Sequence, residues 1–269
     1  MNAPVKQCND SEGLRFFCRH LVGLCVTYHY TNGSEADQLP RFAAYSGTLI
    51  NIGGALCFLT GGHVLQELEE YFAGDQVEIT TTVLADTFGQ HSVSNHPIPF
   101  DLKGARLFYI DDREEGLDFG VIVLDPHYVR ILSKNGMVAL EEKNWIHQFE
   151  VRFDGYAMLG FPAEFSSKRL SESGAGEVSP TMFSVKRLDG PPEDRAPTRH
   201  PQFVGQVSSE LPLKSVVGMS GGPIFGFRLE PETRYWVVAL QSSWDAGRRT
   251  VYGCSLPALA SLLTSWITE

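Results

Sequence analysis

The sequence predicts an all-β protein, a sandwich or a barrel, on three observations. Short runs rich in β-branched, aromatic and aliphatic residues recur along the chain, clusters of Gly, Pro, Asn and Asp separate them, and helical periodicity is confined to two stretches. A chain of 269 residues is long for an average domain, yet closed β architectures of this length commonly form one unit. Its hydrophobic content of 43%, with 11% aromatic residues, describes a folded chain with a large core and excludes a disordered or fibrous one.

The first strand is Leu24 to Tyr30, stopped by the turn residues Thr31-Asn32-Gly33-Ser34. Ser46 to Ile52 and Ala55 to Thr60 are apolar runs joined by Gly53-Gly54, the signature of a tight hairpin. After His63, the apolar positions of Val64-Leu65-Gln66-Glu67-Leu68 take helical spacing and predict a short helix. Gln76 to Leu84, Ala105 to Ile110 and Phe119 to Leu124 complete the strands of the first half. In the second half, Phe153 to Pro162 reads as a strand stopped by Gly160 and Pro162, followed by strands at Thr181 to Leu188 and Phe203 to Val207. Ile224 to Arg228 and Trp236 to Gln241 come last. The segments Ser166 to Pro180 and Asp189 to Pro201 are rich in Ser, Gly, Pro and charge, and read as surface loops. Ser255 as N-cap, Pro257 in the first turn, and Leu256, Leu259, Leu262, Leu263, Trp266 and Ile267 on one side predict an amphipathic helix over 255–268.

The net charge of −10 argues against nucleic-acid binding, which needs clustered Lys and Arg to neutralise phosphates. No apolar segment reaches bilayer-spanning length, so no membrane partner is expected. Met1 to Arg15 is polar and Leu21 to Val26 is too short for the apolar core of a secretory signal. The five cysteines, at 8, 18, 25, 57 and 254, are odd in number and form no framework. A reducing, cytoplasmic setting is the expectation, although a mature form with its signal removed would carry the same pattern. Cys18, His20, Cys25 and His29 are potential metal ligands, but their intervals do not match common zinc spacings, and coincidence on one strand is the preferred reading. Gly53-Gly54 and Gly61-Gly62 precede no phosphate-binding lysine, so neither metal nor cofactor is expected.

The segment Gly218-Met219-Ser220-Gly221-Gly222-Pro223 sets a serine among glycines, as an exposed nucleophile at a tight turn requires. Small residues before a proline also make ordinary loops, so partners are needed. Thr60-Gly61-Gly62-His63 places a histidine just past an apolar strand, and Asp118 opens another. Asp111 and Asp112 are rivals for the acid, but only Asp118 adjoins the apolar strand Phe119 to Leu124.

In the order histidine, aspartate, serine, these blocks resemble those of the trypsin/chymotrypsin family of serine peptidases. The resemblance implies two packed six-stranded antiparallel β-barrels with the active site between them. Residues 1–135 would form the first barrel and carry His63 and Asp118, and 136–269 the second, carrying Ser220 and the closing helix. It further implies His63 as general base, Asp118 as its orienting acid, Ser220 as nucleophile and the N–H groups of Gly218 and Ser220 as the oxyanion hole. By family spacing, Lys214 falls near the base of the specificity pocket, and Ser243-Trp244-Asp245 resembles the segment that pairs with substrate backbone. Lys214 would favour acidic substrate side chains and Asp245 basic ones, so the two cues conflict. Met219 departs from the family pattern: many relatives have there an aspartate that pairs with a new N-terminus after proteolytic activation. The expected activity is that of a serine endopeptidase on protein or peptide substrates, not switched on by N-terminal cleavage. The alternative is a regulated effector or binding module of the same fold, such as a defence-associated protease, whose oxyanion turn is ordered by a regulatory partner.

Overall fold

The computed structural model describes residues 12–32, 34, 38–88, 93–94, 96–145, 153–171, 176–260 and 262. In chain order the elements are α1 (Glu12–Cys18), β1 (Leu21–Tyr30), β2 (Arg41–Ile52), β3 (Ala55–Thr60), α2 (Gly62–Ala73), β4 (Val77–Ala85), β5 (Ile98–Pro99), β6 (Arg106–Asp112), β7 (Leu117–Val123) and α3 (Pro126–Lys134). They continue as β8 (Gly155–Gly160), β9 (Thr181–Arg187), β10 (Gln202–Val207), β11 (Pro223–Arg228), β12 (Arg234–Asp245) and β13 (Thr250–Ser255). The first seven strands form an antiparallel sheet in the order β5-β4-β1-β2-β3-β7-β6, and the last six close into the barrel β10-β13-β12-β11-β8-β9. The second half is thus the expected six-stranded barrel, while the first is a sheet of seven strands with the two-residue β5 at one edge. Helix α2 packs against β4, β6 and β7.

Local sequence explains the pairings that position the site. Gly53 and Gly54, at φ 56° and 87°, make the left-handed two-residue turn that matches strand twist, and Ile52 pairs with Ala55 directly across it. β3 then pairs with β7, with Thr60 opposite Gly120. Two residues on from that pair, the chain past β3 has reached Gly62, the first residue of α2, and β7 counted back has reached Asp118. His63, at the start of α2, therefore lands beside Asp118.

Three apolar clusters hold the molecule together. Val22, Leu24, Leu49, Phe58, Leu84 and Ile122 pack inside the first sheet with Val64, Leu65 and Leu68 of α2. Met158, Phe183, Phe203, Ile224 and Val251 fill the barrel, joined by Val216 and Met219 from the serine-bearing loop. Between the halves, Leu21, Ile50, Leu59 and Phe119 meet Leu159, Phe161, Phe225 and Leu240.

Four of these elements differ from the expectation. Helices α1 and α3 stand where the sequence pattern gave no helix, and β5 and β13 where it gave no strand. α3 starts at Pro126, with Asp125 extended at its N-cap position, an arrangement proline favours because its fixed φ suits a first helical residue. Of the C-terminal helix, 256–260 are helical and Leu256 and Leu259 are buried; Leu263, Trp266 and Ile267 lie outside the described residues. No described helix is long and apolar enough to cross a membrane.

Candidate active site

Asp118 is buried, with 8% of its surface exposed, and holds His63 at two points. The His63 backbone N–H donates to Asp118 Oδ1 at 3.0 Å, and the ring Nδ1 lies 2.8 Å from Oδ2. The second contact fixes the tautomer: Nδ1 carries the proton, so Nε2 presents a lone pair. Burial alone would lower the imidazole pKa. The hydrogen bond and charge of Asp118, with the charges of Asp111 and Glu67, outweigh that effect and raise it above the ordinary value. Of the rival acids, Asp112 accepts from the N–H groups of Glu114 and Glu115, and Asp111 pairs with Asp118 across β6 and β7.

Ser220 and His63 line one cleft of about 480 Å³, together with Gly218, Gln241, Ser243 and Trp244. No hydrogen bond joins the Ser220 hydroxyl to His63 among the described residues, a looseness common in sites without substrate. The turn carrying Ser220 needs its glycines. Gly218 and Gly221 have φ of 89° and 82°, and a Cβ on Gly221 would come within 2.3 Å of Thr60 Cα. Met219 is fully buried in the barrel core and anchors the turn by packing.

The peptide groups around Ser220 have a defined orientation. The Val217 carbonyl accepts from Ala163 N–H at 2.7 Å, and the Met219 carbonyl from Gly222 N–H at 2.8 Å. In a trans peptide the N–H points opposite to the C=O. The N–H groups of Gly218 and Ser220 therefore point away from those contacts, and neither donates to a protein acceptor among the described residues. Two free donors flanking a serine are what a developing oxyanion requires.

The remaining sequence candidates divide. Ser243 and Trp244 line the cleft. Lys214 is exposed and is not among the cleft residues, because the Glu164 carboxylate takes the backbone N–H groups of Lys214 and Ser215 at 2.7 and 3.1 Å and fixes that segment outside. Asp245 is likewise off the cleft and bound to Arg248, through its backbone N–H and its guanidinium, both at 3.0 Å. Neither of the two charged residues lines the cleft. Cys18, His20, Cys25 and His29 do not converge: His20 Nδ1 contacts the Val138 carbonyl at 2.6 Å, His29 pairs with Glu78, and no group of three or more potential ligands occurs among the described residues.

Sequence reasoning passed over Ser46 and Thr48, both fully buried on β2. Ser46 Oγ donates to the Gly218 carbonyl at 2.9 Å, and Thr48 Oγ1 to the Gly221 carbonyl at 3.0 Å. Their one available signal was two hydroxyl residues spaced by two in a largely apolar strand, which puts both on one face.

No family model and no curated protein matches the sequence. Among solved structures, Glu endopeptidase in complex with MPD aligns with 99% of this chain and 97% of its own, at 12% identity and a TM-score of 0.51. The thermostable serine protease AL20 from an extremophilic microorganism aligns over 90% of this chain and 93% of its own, at 13% identity and a TM-score of 0.48. Protease Anisep from Arthrobacter nicotinovorans aligns over 88% and 90%, at 16% identity and a TM-score of 0.46. A six-stranded antiparallel barrel docked on a second antiparallel sheet, with His63, Asp118 and Ser220 drawn to the junction, and a near full-length match to Glu endopeptidase together give this chain the chymotrypsin fold.

Proposed function

We propose that the protein is a serine endopeptidase acting on protein or peptide substrates through an acyl-enzyme. The observation that carries this reading is the cleft shared by Ser220 and the Asp118-bound His63, flanked by two N–H groups that meet no acceptor among the described residues. Ser220 Oγ attacks the scissile carbonyl while His63 Nε2 takes its proton, and the oxyanion forms against the N–H groups of Gly218 and Ser220. The imidazolium, stabilised by Asp118, then protonates the leaving amine as the C–N bond breaks. Water, deprotonated by the same imidazole, hydrolyses the ester and frees Ser220. Ser243 and Trp244, on the cleft wall, contact the substrate chain.

Residues 1–135 and 136–269 serve as the two halves of this machine, one supplying base and acid, the other the nucleophile. No N-terminal cleavage is needed, because Met219 fills the barrel core where an activation carboxylate would need a new amino terminus. Buried free thiols at Cys18, Cys25, Cys57 and Cys254 suit a reducing compartment such as the cytoplasm. The open Ser220 to His63 contact favours a second reading, in which a partner protein closes it and switches the peptidase on.

Turnover of a peptide-ester library tests the leading reading. The purified wild type gives an acyl-enzyme burst, and Ser220→Ala lowers kcat by about 10⁴–10⁶-fold. Equal hydrolysis by both proteins contradicts it; a burst appearing only after addition of cell extract selects the partner-switched form.

A further inference from the structure

The geometry points to Ser46 as a positioning residue that holds the oxyanion site open, an inference resting on the peptidase reading above. Ser46 belongs to β2 in the first half of the molecule, yet its hydroxyl reaches into the second. It donates to the Gly218 carbonyl at 2.9 Å and accepts from the Phe161 backbone N–H at 2.8 Å. A hydroxyl has one proton and two lone pairs, so this bridge satisfies it at a site of zero exposure.

The bridge matters because of what Gly218 is. A glycine at φ 89° can rotate its flanking peptides more freely than any other residue, and rotation of the 217–218 unit would swing the Gly218 N–H out of the cleft and put a carbonyl there. Each neighbouring unit is pinned against that motion. The 218–219 unit is held at both ends, its carbonyl by Ser46 and its N–H by the Val216 carbonyl at 3.0 Å. The 217–218 carbonyl is held by Ala163 N–H at 2.7 Å, and Ala163 lies two residues past Phe161, the other partner of Ser46. One hydroxyl therefore fastens both the peptide next to the oxyanion donor and the strand end that orients the peptide before it. Thr48 makes a similar buried bond, but to Gly221, on the far side of Ser220 from the Gly218 donor. With Met219 in the barrel core, the turn is secured from below by packing and from the side by this hydroxyl.

The test compares Ser46→Ala with Thr48→Ala, two deletions of one buried hydroxyl from one strand. Ser46→Ala lowers kcat by about 10²-fold and weakens a peptide boronate inhibitor by a similar factor, with KM changed less than about threefold. Thr48→Ala loses less than about tenfold in kcat. Equal kcat losses in the two variants, or a Ser46→Ala loss carried by KM, overturn the assignment. A second measurement needs no turnover: amide exchange at Met219, whose N–H shares the peptide unit fixed by Ser46, accelerates about tenfold or more in Ser46→Ala and much less in Thr48→Ala. Unchanged Met219 protection overturns the pinning even if the wild type hydrolyses nothing, whereas a silent wild type with accelerated exchange in Ser46→Ala rejects only the peptidase reading.

Discussion

His63 is gripped by Asp118 through both its backbone and its ring, so the imidazole has one tautomer and one orientation available. The same contacts set its titration. Burial opposes the imidazolium, but Asp118, Asp111 and Glu67 together favour it more strongly, and the proton is held above the ordinary imidazole value. A protonated His63 cannot accept the Ser220 proton, so kcat/KM falls as pH drops through a midpoint above 6.5. Asp111→Asn removes one of the charges favouring the imidazolium, and the midpoint moves down. A pH–rate profile reads both shifts; a wild-type midpoint at or below 6.5, or one unmoved by Asp111→Asn, contradicts this electrostatic description.

At the scale of elements, the β3–β7 register delivers His63 to Asp118, and the β11–β12 pairing extends into the serine turn, where Gly221 N–H donates to the Gln241 carbonyl and Gln241 N–H to the Gly222 carbonyl. Helix α1 leads into a further junction. His20, just after it, is buried between the Val138 carbonyl and the Tyr235 hydroxyl of β12, and Arg19 donates to both His20 and Tyr235. Burial, aided by Arg19, lowers the His20 pKa to about 4. In the unfolded chain it titrates near 6.5, so between about 6.5 and about 4 the unfolded state binds more protons and stability falls as pH drops. The loss amounts to roughly 3 kcal/mol across that window. Urea unfolding at pH 7 and pH 4 measures it, and His20→Asn flattens the dependence; an equally steep dependence in that variant assigns the acid sensitivity elsewhere.

Much of this was legible before the structure. Alternating apolar strands, the Gly53-Gly54 turn and the blocks around His63, Asp118 and Ser220 are local signals, each contained within a few residues. Lys214 and Asp245 stand off the cleft for physical reasons that counting along the chain cannot supply. Glu164, fifty positions away, fixes the Lys214 backbone outside the cleft, and the β12–β13 register shifts between Gln241 and Ser243 just before Asp245. The role of Ser46 was illegible because its partners, Phe161 and Gly218, lie 115 and 172 residues further on.

For the whole molecule, the site exists only where the halves meet. His63 opens α2 and Asp118 lies on β7 of the seven-stranded sheet, Ser220 and the N–H groups of Gly218 and Ser220, which meet no acceptor among the described residues, come from the barrel half, and the apolar cluster around Leu59, Phe119, Phe161 and Leu240 holds the two together. The hydroxyls of Ser46 and Thr48 cross the same boundary to reach the serine turn. Reactivity of Ser220 is thus a property of the assembled chain, and a fluorophosphonate probe, which reacts with a serine only when base and oxyanion donors act on it together, reads that assembly directly. The account predicts one equivalent of label per chain on the peptide containing Ser220, none on Ser220→Ala and greatly slowed labelling of His63→Ala. A folded wild type that takes up no label, or a Ser220→Ala variant that labels as fast, contradicts it.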